Sequence, residues 1–178
     1  PLHVPQWGVF VRSAPRDGGA DLLVSTEIAN EWDAQRICRV RNIARDGDGR
    51  LVADVSQAAT LAAGEVAAVE QRAHVAEARL WSIEAPHLYT LRTEIWVDGA
   101  LIDAVSTPFG VRSIRFDAQR GFFLNERPVK LLGTCNHQDH AGAGSALPDA
   151  LHEFRIRKLK EMGSNAYRAA HNPPTPEL

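Results

Sequence analysis

From Val9 to Ser113, apolar and polar residues alternate with the period of two that puts successive side chains on opposite faces of a strand. In Ala20–Asn30, Leu22, Val24, Thr26 and Ile28 fall on one face, and Leu23, Ser25 and Glu27 on the other. Ile37–Ala44 sets Cys38, Val40 and Asn42 against Ile37, Arg39 and Arg41. Asp46-Gly47-Asp48-Gly49 is turn chemistry leading into a strand at Leu51–Val55. Gly64–Ala76 and Leu88–Val97 continue the pattern, and Asp98-Gly99 predicts a hairpin into Leu101–Ser106. About seven short strands divided by turn signals predict an immunoglobulin-like β-sandwich. Leu2–Gly8 reads as a linker because Pro5 interrupts a ladder. The alanine-rich Gln57–Ala68 reads as a loop, since Thr60 and Gly64 disfavour a helix. Arg39, Arg41, Arg92 and Glu94 are assigned to the solvated face of a sheet. Trp7 is assigned to a domain junction, and Trp81 and Trp96 to the sandwich core or its seam with a neighbour.

After Pro108-Phe109-Gly110 the period changes, and a boundary near Ser113 divides the chain into residues 1–113 and 114–178. Gly121–Leu124 and Pro128–Leu132 flank Asn125-Glu126-Arg127, a hairpin signature. A helix is predicted over Asp149–Met162, started by Pro148-Asp149 and stopped by Gly163. Its apolar stripe is Leu151, Phe154, Leu159 and Met162, with Arg155 inside the same arc and Arg157, Lys158 and Lys160 on the solvated side. The helix lies between two apolar runs, Val129–Gly133 and Ala166-Tyr167. Asn136–His140 follows the first run, and Arg168 and His171 follow the second. Strand, helix, strand, with polar residues at the carboxyl ends, is the grammar of a (β/α)8 barrel, where that end carries the chemistry. The expected fold is mainly β: a sandwich followed by the first β-α-β portion of a barrel.

Composition narrows the function. In 178 residues the net charge is -2 with the two signs interspersed, which argues against nucleic acid as a partner. The uncharged apolar runs are too short to span a membrane. Cys38 and Cys135 fall in different regions and are expected to be free thiols, one packed in each. The sequence opens on Pro1 rather than methionine and stops after Pro173-Pro174-Thr175-Pro176, where a barrel would start its next helix. Both ends are therefore expected to be cuts, and no compartment is assigned. Two barrel strands without neighbours would expose Leu131, Leu132, Ala166 and Tyr167, which predicts packing on the sandwich or on another copy, a homo-oligomer.

Three segments carry a family resemblance: LWSIEAPHLYTL (Leu80–Leu91), GFFLNERPVKLLGTCNHQDH (Gly121–His140) and KLKEMGSNAYRAAHNPPTPEL (Lys158–Leu178). Together they resemble glycoside hydrolase family 2, which includes β-galactosidases, β-glucuronidases and β-mannosidases. The resemblance implies a retaining β-glycosidase, most like a β-galactosidase. Val111–Phe116 would be the strand that hands the sandwich over to the barrel. His137 and His171 match the family's histidines after the first two barrel strands, where they hydrogen-bond sugar hydroxyls. Arg168 would hold the nucleophilic carboxylate, with Asp139, His140 and Asn172 shaping the site. Both catalytic glutamates are implied to lie beyond Leu178, so this chain is expected to hold no catalytic residue and to be inactive alone. Cys135-Asn136 departs from the Asn-Arg of better-known β-galactosidases, which leaves the sugar open. No cofactor is expected in the chain. His137, Asp139, His140 and His171 are metal-ligand types without a closed ligand spacing. A divalent ion such as magnesium, where a member has one, would draw its ligands mostly from later residues. The rival class is a non-catalytic immunoglobulin-like module that binds carbohydrate or a partner.

Overall fold

The computed structural model describes residues 1–175. Alternating residues up to Phe109 form eight strands: β1 (Leu2–His3), β2 (Val9–Arg16), β3 (Gly19–Asn30), β4 (Arg36–Arg45), β5 (Leu51–Leu61), β6 (Val66–Ala76), β7 (Tyr89–Val97) and β8 (Ala100–Phe109). They make two antiparallel sheets. In one, β3 pairs along one edge with β6, and along the other with β2 and then β1. The second is ordered β5-β4-β7-β8.

The inward positions of the two sheets meet in a core that has two apolar clusters. One gathers Leu22, Val24, Ala44, Val75 and Leu91. The other gathers Ile28, Val40, Val69 and Ile95. Each Leu, Val or Ile among them, fully buried, stabilises by roughly 1.5–3 kcal/mol. Between the clusters four strands each contribute one polar inward residue: Thr26 from β3, Asn42 from β4, Gln71 from β6 and Thr93 from β7, all buried. Asn42 Nδ2 donates to Gln71 Oε1 at 2.6 Å and to Thr26 Oγ1 at 3.3 Å. Thr93 Oγ1 donates to Asn42 Oδ1 at 2.5 Å, and Gln71 Nε2 to the Val40 carbonyl at 3.3 Å. Asn42 thus uses both ends of its amide, and the belt crosses from one sheet to the other.

The structure corrects the sequence at three places here. Leu2–Gly8 is not simply a linker: Leu2 and His3 pair with Asn30 and Ala29, and Leu2 and Val4 are buried. Gln57–Leu61 is strand rather than loop, and Ala62–Glu65 is a tight turn closed by the Glu65 N–H on the Ala62 carbonyl. Trp96 and Glu94 sit on the outer face of β7 opposite Arg39 and Arg41, yet Glu94 is only 7% exposed. One carboxylate oxygen accepts from Arg92 Nε at 2.8 Å and the other from Trp96 Nε1 at 2.9 Å. These bonds, the Arg92 one foremost, hold the Glu94 carboxyl below the usual carboxylate range. Trp7 is exposed, whereas Trp81 is half-buried, with the Arg112 guanidinium 4.8 Å above its ring.

The chain divides into two compact units, Pro1–Ile114 with Leu124–Glu126, and Arg115–Phe123 with the described residues from Arg127 onward. The second contains most of a three-stranded sheet, β9 (Ile114–Asp117), β10 (Gly121–Leu124) and β11 (Arg127–Pro128), in the order β11-β10-β9. Asn125 and Glu126 adopt φ of 50° and 61°, the left-handed pair that a two-residue hairpin turn requires. β12 (Gly133–His137), α1 (Asp149–Glu161) and β13 (Ala166–Ala170) follow, with β12 and β13 parallel. The strand is therefore Gly133–His137, not Val129–Gly133. Val129 N–H is taken by the Phe122 carbonyl, and Asn165 claims the next stretch. Asn165 Oδ1 accepts from Leu132 N–H and its Nδ2 donates to the Lys130 carbonyl. Gly163, at φ 91°, ends α1 in a Schellman turn: Ser164 N–H bonds the Leu159 carbonyl and Gly163 N–H that of Lys160. The predicted stripe is only partly buried. Leu151, His152, Arg155, Ile156 and Leu159 are half-buried, while Phe154 is 44% and Met162 65% exposed.

The belt generates a test. Asn42→Ala leaves Gln71, Thr26 and Thr93 short of a buried partner and should cost about 2–4 kcal/mol, since each unsatisfied group costs roughly 1–3. Urea unfolding would read this as a lower midpoint at unchanged slope. A loss within about 0.5 kcal/mol, the ordinary range for surface substitutions, would show that the belt does not hold the sheets.

Candidate functional site

The parallel register of β12 and β13 sets Cys135 beside Arg168 and His137 beside Ala170. Alternation then assigns Cys135 and His137 to one face of β12, and Arg168 and Ala170 to one face of β13. Thr134, Asn136, Tyr167 and Ala169 take the opposite face, where Asn136, Tyr167 and Ala169 line a cavity together with His152 and Arg155 of α1.

Arg168 Nη1 lies 2.8 Å from Cys135 Sγ and donates to it. The rings of His137 and His171 meet edge to face, their centroids 5.0 Å apart. Asn172 Nδ2 donates to Gln138 Oε1 at 2.8 Å, tying the segment after β13 to the segment after β12. His137 and His171 thus meet where the two strands end, with Arg168 on the same face beside Cys135, while Asn172 and Gln138 line the cavity behind the opposite face. Asp139 and His140 do not join them. Asp139 is exposed, and its carbonyl accepts from Arg155 Nη2. His140 turns into a tight loop, its Nδ1 against the Ala141 carbonyl at 2.9 Å and its N–H on the Gly144 carbonyl.

Three residues of this region carry no role in the sequence reading: Cys135, Gln138 and Arg155. Cys135 shares a face with His137 by the two-residue period, a signal legible only once the strand is known to begin at Gly133. The three terminal residues of the segment that carries the family resemblance, Pro176, Glu177 and Leu178, lie outside the described residues.

The cluster is rich in donors and poor in acids. Two imidazoles and a guanidinium can donate to hydroxyl or carboxylate oxygens, and among the described residues no carboxylate pairs with Arg168. Hydrolysing a glycoside takes two carboxyl groups about 5–10 Å apart, and Asp139 is the one acid among the described residues of the strand-end segments. Among the described residues the arrangement offers hydrogen-bond donors and does not supply both an acid and a nucleophile. Among the described residues no three of His, Cys, Asp and Glu are gathered as ligands of a metal ion.

The profile of glycosyl hydrolases family 2 matches residues 3–112 of this sequence. The chain belongs to that family. Beta-galactosidase BoGH2A from Bacteroides ovatus is 36% identical over the whole of this family 2 chain, which spans 21% of that protein. A beta-glucuronidase from Bacteroides fragilis is 43% identical over 96 residues, 53% of this chain and 14% of the relative. Among solved structures, a glycosyl hydrolase family 2 member from Bacteroides cellulosilyticus superposes with a TM-score of 0.93 at 33% identity, covering 99% of this chain and 24% of that one. The chain therefore spans about a fifth of the length of the curated relative that it matches end to end.

The two thiols of this family 2 chain are free, and contrary to the sequence reading only one is packed: Cys38 is buried while Cys135 is exposed beside Arg168. Burial pushes the Cys38 thiol up, further lowering its reactivity. A disulfide-exchange reagent should therefore titrate one thiol per folded chain and a second only in denaturant. Cys135→Ser should abolish the native reaction. Two equally fast thiols would contradict the burial of Cys38.

Proposed function

We propose that this chain supplies an immunoglobulin-like sandwich domain (residues 1–113) and the opening β-α-β portion of a (β/α)8 barrel (residues 114–178) to a retaining β-glycosidase. The carrying observation is the set of donors on one face of two parallel strands, with Arg168 beside Cys135 and the His137 ring against that of His171 where the strands end. In this reading His137, His171 and Asn172 bind sugar hydroxyls, with Asp139 and His140 at the rim. Arg168 holds the nucleophilic carboxylate, which, like the general acid, comes from a part of the protein beyond this sequence. The chain itself needs no cofactor, and any divalent ion such as magnesium would be held elsewhere in the longer protein. The exposed Leu131 and Leu132 edge would pack against the rest of the barrel or a second copy.

Terminal β-galactosides are the substrates we favour, supported by the end-to-end match to a protein named beta-galactosidase. A glucuronide is the second reading, supported by the higher local identity to a protein named beta-glucuronidase.

A panel of nitrophenyl β-galactoside, β-glucuronide and β-mannoside on the full-length protein separates these readings, and release from none of them would leave the non-catalytic module. In that protein Arg168→Ala should lower kcat by about 10²-fold or more, as misplaced catalytic groups do. His171→Ala should cost about tenfold or more, the worth of one hydrogen bond to the transition state. Neither should shift Tm much. Leu159→Ala should do the reverse, costing up to about 2–5 kcal/mol of stability. The 178-residue chain alone should release no nitrophenol above buffer. Turnover by the chain that disappears on Asp139→Asn would overturn the assignment of both catalytic acids to residues beyond it.

A further inference from the structure

Behind the strand face opposite Arg168 lies a cavity of about 300 Å³, walled by α1, by β12 and β13, and by the segments that follow them. Among the described residues Arg155 is its one charged wall residue, and no carboxylate lines it. Arg155 Nη2 donates to the Asp139 carbonyl, which fixes the guanidinium plane. Its Nη1 is buried with no partner among the described residues, and so is Nδ1 of His152, one helical turn earlier. Both residues line the same cavity. A buried guanidinium N–H without an acceptor is disfavoured, and native proteins rarely leave one so. Of the nearby amide oxygens, Gln138 Oε1 is already engaged, accepting from Asn172 Nδ2.

We infer that this cavity is a receptor for a carboxylate, bound by Arg155 Nη1 and by His152 in its Nδ1–H tautomer. The charge decides the class. One guanidinium with no acid around it balances a monoanion, whereas a phosphate dianion would be left half-neutralised in a partly closed space. Leu147, Pro173 and Pro174 offer apolar walls for the carbon chain that carries the carboxylate. The carboxylate has two possible sources, a free small acid or an Asp or Glu side chain from elsewhere in the polypeptide. Recognition by the chain itself does not depend on its being part of a glycosidase.

The test is an acetate titration of the 178-residue chain, exchanged against chloride at constant ionic strength, with the nitrogen resonances of the Arg155 side chain and the His152 ring as readout. The expected result is a saturable shift at both residues, in the millimolar range. Arg155→Lys, which keeps the charge and loses the fork, should weaken it at least tenfold, and His152→Phe should weaken it while circular dichroism stays unchanged. A second arm repeats the titration on the longer family 2 protein and rests on the reading proposed above. No acetate response there, with the response kept in the short chain, assigns the carboxylate to the protein's own side chain. An equal response in both assigns it to a free acid. The inference is overturned if the short chain shows no saturable shift, if Arg155→Lys binds as well, or if phosphate binds more tightly than acetate.

Discussion

A Cβ at position 133 would run into the carbonyl group of Ala166, and glycine there lets β12 lie against β13 in its register. The functional side of the chain depends on that contact. With Gly133 opposite Ala166, Cys135 comes beside Arg168 and His137 beside Ala170, so the strands end together and His137 meets His171. A shift of one residue would send Cys135 and His137 to the face now held by Thr134 and Asn136. The Asn165 amide braces the entry to both strands, bonding Leu132 N–H and the Lys130 carbonyl just before Gly133.

The sandwich solves a different problem by similar means. An apolar core between two sheets tolerates sliding, because one branched side chain resembles the next. A row of four polar residues across the middle does not, since Asn42 satisfies Gln71, Thr26 and Thr93 only when the facing strands are in one alignment. The belt thus separates two apolar clusters and fixes which residue faces which. Hydrophobic burial supplies most of the stability here, and the polar belt supplies specificity.

Much of this was legible in the alternation alone. Leu22, Val24, Thr26 and Ile28 on one side of Ala20–Asn30 are buried as their period demands, and so are Cys38, Val40 and Asn42. Helix α1 was legible because Gly163 and Pro148 punctuate it. What escaped the pattern was decided by side chains distant in sequence. Val129–Leu132 has the apolar content of a strand, but its backbone is engaged by Phe122 and Asn165. Glu94 has the residue type and position of a solvated face, but Arg92 and Trp96 close over it. Phe154 and Met162 have helical spacing, but nothing among the described residues covers them. In the site, His137, Arg168 and His171 stood out as polar residues after apolar runs. Cys135 did not, because its face depends on a strand boundary that the sequence signals misplaced by several residues.

The role proposed for the chain, as the binding half of a glycosidase site, is tested most directly by trapping the intermediate. The full-length protein would be crystallised after reaction with a 2-fluoro-β-galactoside, which leaves a glycosyl group bonded to the nucleophile of a retaining enzyme. The account predicts that group at the ends of β12 and β13, with Arg168 in hydrogen-bond contact with the carboxylate that carries it and His137 or His171 on a sugar hydroxyl. A trapped sugar that touches none of these three residues would contradict it.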